Sequence, residues 1–283
     1  MITILPVQST TAPWVKYSML FKECFSISTK FSETALQWLY HMNPEGPVVG
    51  FDAWDGEDLV AHYACIPTAA IIDGRSTKAL LSLNTATHPR YQGQGLFSKL
   101  AAHTYDAAAA MGFDAVYGIA NANSTPGFTR KLGFQLVRPL EAKIGFGPIR
   151  IDVEKIKSTA QFRRIWTQES LHWRCSNPNN PVRAGLYGDA VYFNANAVGP
   201  FVQAYAERPF EGEKYEKIKP MLPSVRVYLG AEPRGCQHFK TYVDIPTRFK
   251  PSPLNFIYRS LSSRVIMLDH ERISFSFLDF DAY

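Results

Sequence analysis

The chain has 283 residues, room for two modules of ordinary size, and 46% of them are hydrophobic, which supplies buried cores and excludes a disordered chain. Its net charge of +5 comes from 30 Lys and Arg against 25 Asp and Glu, with no basic tract. Nucleic acid is therefore not an expected partner; the charge reads first as a slightly basic solvated surface, and next as a mild bias toward anionic small molecules.

Four scattered cysteines, Cys24, Cys65, Cys175 and Cys236, and the absence of an apolar run long enough to cross a bilayer lead to the expectation of reduced thiols, a cytoplasmic location and no membrane insertion. No Cys-x-x-Cys, His-Glu-x-x-His, Gly-Lys-Ser/Thr or Gly-x-Ser-x-Gly spacing occurs, so metal, nucleotide triphosphatase and serine hydrolase chemistry are not expected.

In chain order, Leu36-Gln-Trp38 and Asn43-Pro44-Glu-Gly-Pro47-Val48 lead into a hairpin of residues 48–54 and 59–66 around Asp55-Gly56-Glu57-Asp58. Residues 79–86 read as a strand that Pro89 stops. Gln92-Gly93-Gln94-Gly95 then open a helix with Leu96, Leu100, Thr104, Ala108 and Met111 on its inner face, ended by Gly112. Residues 113–119 read as the next strand, lying beside the earlier one. Such a strand, glycine-spaced loop and helix can present backbone N–H groups and a helix N-terminus to a pyrophosphate; a plain strand-to-helix turn is the alternative. Asn121-Ala-Asn123-Ser124 carries helix-capping chemistry, Gly127-Phe128-Thr129-Arg130-Lys131-Leu132-Gly133-Phe134 a short helix stopped by glycine, and residues 135–146 an apolar run.

This order, over roughly residues 48–146, resembles the GNAT superfamily of acyl-CoA-dependent N-acyltransferases, whose pyrophosphate motif is Gln/Arg-x-x-Gly-x-Gly/Ala and whose next helix often ends in Lys-Leu-Gly-Phe. Gln92, Gly95 and Phe97 occupy the first, fourth and sixth motif positions, the last departing from a small residue; a frame starting at Arg90 also fits. The resemblance implies an α/β (α+β) fold with a mixed, mostly antiparallel sheet flanked by helices, and acyl-CoA as co-substrate, delivering acetyl or 3-hydroxybutanoyl. It implies that main-chain groups of Thr85, Ala86 and Thr87 pair with pantetheine and that the amides of Gln92, Gly93, Gln94, Gly95, Leu96 and Phe97 receive the pyrophosphate. Asn121 and Asn123 are candidates for pantetheine or acceptor contacts beside their capping role. Arg90 and Lys99 are either phosphate neutralisers or solvated surface charges.

The family's proton-handling pattern gives out here. The strand positions that often hold a Glu or His base are Leu81 and Leu83, and the usual acid Tyr is replaced by Thr129. Two substitutes remain as candidate catalytic residues: His62, with an intrinsic pKa near neutrality or else a core histidine that only hydrogen-bonds, and Asn84, able to orient an amine or water but not to act as a base. A water relay would make a dedicated base unnecessary.

The first-half pattern recurs as Leu171-His-Trp173 and Asn177-Pro178-Asn-Asn-Pro181-Val182, followed by strand candidates at residues 182–193 and 201–207 and a possible helix at 215–221. No glycine-spaced helix entrance follows near residues 225–230. The expectation is a GNAT acyl-CoA-binding catalytic domain at residues 1–147 and a degenerate GNAT-like domain at 148–283 that contributes to acceptor binding; a chance match of the two patterns, with an unrelated α+β module at 148–283, is the alternative. The chain also looks like larger GNAT proteins of surface-polysaccharide assembly, which implies a nucleotide-linked amino sugar, such as a dTDP-linked aminodeoxyhexose, as acceptor. Rival readings are N-acetylation of a peptide or polyamine and a non-catalytic acyl-CoA-binding module.

Overall fold

The computed structural model of the chain describes residues 1–10, 13–25, 29–187, 190–199, 201–208, 225–249, 252–264 and 266–280. In chain order its elements are β1 (Ile2–Pro6), α1 (Trp14–Cys24), α2 (Glu33–Tyr40), β2 (Val49–Asp55), β3 (Asp58–Ile72), β4 (Arg75–Thr87), α3 (Leu96–Ala110), β5 (Ala115–Ala120), α4 (Thr125–Lys131), β6 (Gln135–Pro139), β7 (Glu141–Gly145), α5 (Val153–Thr159), β8 (Phe162–Arg164), α6 (Gln168–Cys175), β9 (Arg183–Tyr187), β10 (Ala190–Val198), β11 (Val202–Arg208), β12 (Val225–Ala231), β13 (Tyr242–Asp244), β14 (Asn255–Ser260) and β15 (Ile273–Ser276). Two compact units emerge: Met1–Thr68 with Thr77–Leu136 and Ile257–Val265, and Ala69–Ser76 with Val137–Phe256 and Ile266–Tyr283. The division falls after Leu136 and not at Gly147-Pro148, and a late segment returns to the first unit.

In the first unit β1, β2 and β3 pair antiparallel in sequence, and β5 lies parallel to β4, as the strand, helix, strand reading requires. The β2–β3 hairpin turns at Asp55–Asp58, where Gly56 sits at φ +60°. A bulge between Ala53 and Trp54 shifts the register by one residue, so Asp52 faces His62 instead of Ala61. Alternation along β3 sends Ala61, Tyr63 and Cys65 into a core with Leu96, Leu100, Ala101 and Tyr105 of α3, and His62 to the opposite face beneath α1 and α2. Tyr63 and Cys65 are fully buried, and burial pushes the Cys65 thiol up to about 12, so these are packing groups. Tyr117 is equally buried.

The second unit is also mostly antiparallel. β9, β10 and β11 form a meander, β7 is flanked by β12 and β13, and β12 runs antiparallel to β15, while β11–β12 and β15–β8 are parallel. The single strand expected over residues 182–193 is two, β9 and β10. The expected apolar strand after α4 is likewise two, β6 and β7. Residues 225–231 form β12 with no helix entrance, and the helix expected at 215–221 lies outside the described residues.

α6 opens with a Thr167/Ser170 capping box and packs Leu171 against Trp166, Val182, Phe193 and Phe277. Arg174, 4% exposed, donates to the carbonyls of Leu278 and Phe280 at 3.1 Å each, which spends it on structure. Asp279 is 1% exposed; it accepts from Trp166 Nε1 at 2.9 Å and from the Ser276 amide at 2.7 Å. Its buried donors remove the cost of desolvating the carboxylate.

Candidate functional site

β4 and β5 stay paired only from Ala79↔Ala115 to Ser82↔Gly118. Two residues on, Asn84 takes a left-handed backbone at φ +48°, a conformation that Asn tolerates better than most residues and that interrupts regular geometry within β4. Past it, Thr85 and Thr87 border an open cleft of about 400 Å³, whose other walls are the loop and first helical turn between Tyr91 and Ser98, Gln94 excepted, and one side of α4.

The loop is built from local hydrogen bonds. His88 Nδ1 accepts from the Arg90 amide at 3.2 Å, Pro89 begins a short 3-10 turn, and Gln92 Nε2 donates to the Thr87 carbonyl at 3.3 Å. Gly93 and Gly95 lie at φ +78° and +75°, where a side chain is strained, so the backbone itself demands glycine. Lys99 is the first helical amide to find a carbonyl, that of Gly95 at 3.1 Å. The amides of Gly93, Gln94, Gly95, Leu96, Phe97 and Ser98 donate to no carbonyl among the described residues. Six such donors, at and just before the N-terminus of a 15-residue helix, are an arrangement able to receive an anion.

Phe97 stands where a small residue was expected. Its ring makes an edge contact with Phe128 at 5.2 Å between centroids, and a Cβ at Gly127 would come within 3.0 Å of the same ring. The missing side chain at position 127 is what admits the larger one at 97.

Of the expected cofactor residues, Thr85, Thr87, Gln92, Gly93, Gly95, Leu96, Phe97 and Asn123 line the cleft. Ala86 turns its side chain into the core and Gln94 is exposed outside the cleft wall. Asn121 closes the turn that leads into α4: its Oδ1 accepts from the amides of Asn123 and Ser124 at 3.0 and 2.9 Å. Arg90 and Lys99 are exposed outside the lining, whereas Lys131, not singled out in the sequence, is its lysine. Its position in the Lys-Leu-Gly-Phe ending was the available signal.

The two candidate catalytic residues meet through a third that sequence reasoning missed. His62 is fully buried; its Nδ1 lies 2.6 Å from Asp52 Oδ1 and its Nε2 2.9 Å from the Tyr40 hydroxyl. Tyr17 donates to the other Asp52 oxygen at 2.6 Å, and burial beside that carboxylate drives the Tyr17 hydroxyl far above its ordinary range. At the far end, Asn84 Nδ2 donates to the Tyr40 oxygen at 3.0 Å. Asp52 is legible only through the β-bulge, and Tyr40 had no signal beyond its place at the end of a capped helix. Thr129, at the site of the usual acid, bonds back to the Thr125 carbonyl at 3.0 Å and is spent there.

Residues 8–137 match the family model described as acetyltransferase (GNAT) domain. A search of curated proteins finds no match. Among solved structures, the GCN5-related N-acetyltransferase from Kribbella flavida is similar at a TM-score of 0.62 and 10% identity, over 92% of this chain and 72% of that one. The GCN5-related N-acetyltransferase from Anabaena variabilis gives 0.61 at 10% identity, over 92% and 73%. A probable N-acyltransferase from Enterococcus faecalis gives 0.60 at 10% identity, over 92% and 73%. These likenesses establish the fold across both halves.

Proposed function

We propose that this acyl-CoA-dependent GNAT N-acyltransferase moves an acetyl or short hydroxyacyl group to the amino group of a nucleotide-linked amino sugar, of the dTDP-aminodeoxyhexose kind, in cytoplasmic surface-polysaccharide synthesis. The observation that carries the cofactor half of this reading is the row of six free amides from Gly93 to Ser98, set at the end of a strand whose Thr87 and Thr85 border the cleft. A diphosphate on those amides directs the pantetheine arm along β4 toward Asn84, at about 3.3 Å per strand residue. Lys131 supplies charge to the phosphates. The acceptor half is supported by the resemblance to polysaccharide-assembly enzymes and by the net charge of +5, which favours an anionic substrate.

The reaction is aminolysis of a thioester. A neutral amine attacks the acyl carbon, the new C–N bond forms, the C–S bond breaks, and the proton lost by nitrogen ends on the coenzyme A sulfur. The protein holds the two substrates together and offers main-chain N–H groups to the developing oxyanion. His62 and Asn84 are the side chains assigned to the amine. Residues 148–283, with their own helix, Asn turn and hairpin but no glycine-spaced loop, are read as a degenerate counterpart assigned to acceptor recognition.

The test is calorimetry with coenzyme A, followed by thiol release from acetyl-CoA and 3-hydroxybutanoyl-CoA against dTDP-amino sugars, peptides and polyamines. Binding and turnover with the amino sugar are expected. Turnover with peptide or polyamine alone overturns the acceptor, and no coenzyme A binding overturns the function.

A further inference from the structure

We infer that Asp52, His62 and Tyr40 are positioning residues that lock the Asn84 carboxamide with its oxygen free to accept an N–H of the incoming amine. This rests on the acyltransferase reading above.

The Asp52 carboxylate only accepts, so the 2.6 Å contact places a ring hydrogen of His62 on Nδ1; with that the ring's one hydrogen, as the proposal takes it, Nε2 is left as an acceptor. The one hydrogen of Tyr40 then goes to Nε2 at 2.9 Å. With its hydrogen spent, Tyr40 offers Asn84 only an oxygen, and the amide group that meets it at 3.0 Å must be the NH2. Asn84 Oδ1 is therefore the free end, and it accepts no hydrogen bond among the described residues. Each link fixes the next, and reversing any one reverses the amide.

The surroundings keep the chain in place. Tyr17, Phe21 and Tyr40 ring His62, with centroids 4.7, 5.5 and 5.7 Å away, and exclude competing water. Tyr17 and His62 occupy both oxygens of Asp52, so the carboxylate has no other demand on it. Of the five groups only Asn84 is half-exposed; it is not itself part of the cleft lining but directly precedes Thr85, which is, at the point where the β4 backbone turns left-handed. An inert core would be served by apolar side chains; a directional chain ending in an open acceptor suits a nucleophile that gives one hydrogen while its lone pair faces carbon. A neutral amine does this. Asn84 takes no proton, and the nitrogen's proton still leaves to the thiolate.

The experiment uses the full chain labelled with 15N in His and Asn side chains, together with the acyl-transfer assay. The wild-type protein should show His62 protonated at Nδ1 and bare at Nε2, with Asn84 NH2 protons slow to exchange. Tyr40→Phe should speed that exchange about tenfold or more and lower kcat/KM for the amine about tenfold, leaving the acetyl-CoA Kd unchanged. Asn84→Ala should cause the same loss toward the amine while the His62 tautomer stays as it was, which separates positioning from folding damage. His62 protonated at Nε2, Asn84 protons indifferent to Tyr40→Phe, or an unchanged amine kcat/KM would each overturn the inference. Failure of coenzyme A to bind would instead remove the acyltransferase reading, and the resonance data would still decide the orientation of Asn84.

Discussion

The segments α2–β2–β3 and α6–β9–β10 share a local plan and differ in chemistry. Both helices have eight residues and a hydroxyl N-cap, Ser32 or Thr167, with Trp at the sixth position and 6% exposed. In both an Asn follows, Asn43 or Asn177, whose Oδ1 takes the amide two residues on at 3.2 or 3.0 Å, and an antiparallel hairpin comes next. At the eighth helical position, however, the first has Tyr40 and the second Cys175, a thiol pushed up by burial to about 11. A helix, turn and hairpin can thus be kept by caps and apolar anchors while the polar chain beside it is present in one place and absent in the other.

The sharpest way to break this comparison is to truncate both anchors. Trp38→Ala and Trp173→Ala should each cost about 3–5 kcal/mol in urea denaturation; a large loss at one and none at the other would show that the two helices are not held alike. Next in size is Gly95→Val, which forces a β-branched residue into a left-handed backbone. Acetyl-CoA affinity should fall about tenfold by calorimetry, because strain of about 1–2 kcal/mol acts on the loop that bears the free amides, while circular dichroism stays unchanged. Asn43→Ala and Asn177→Ala should each lose about 1 kcal/mol, read as a matched shift in melting temperature, because each removes a turn-closing acceptor. Gln92→Ala should be smallest, within about 0.5 kcal/mol by denaturation, since its 3.3 Å bond to Thr87 is exposed. A loss of several kcal/mol there would mean that the loop depends on side chains more than on glycine.

The cleft at the glycine loop was legible in the sequence because it is made of backbone. Pro89, Gly93, Gly95 and Gly112 declare where the chain turns, and the free amides follow from helix geometry whatever the side chains are. Hydrophobic spacing gave α3 and β5 to within about two residues of their ends, while β4 begins at Arg75, four residues before the apolar run that marks it. The polar chain was legible only in part. His62 and Asn84 stood out as polar residues in apolar strands, but their partners come from a register shift of one residue and from a helix end, and neither leaves a periodic trace. The buried state of Asp279 escaped for the same reason: its partners Trp166 and Ser276 are fixed by tertiary packing.

The vacancy at position 127 ties two distant positions into one evolutionary unit. A ring at 97 is tolerable only while 127 lacks a side chain, so among descendants of this sequence the two sites should covary, large with glycine and small with alanine or serine. A reversion at 97 to the customary small residue would open space beside Phe128, and selection would then be free to fill it from the facing helix.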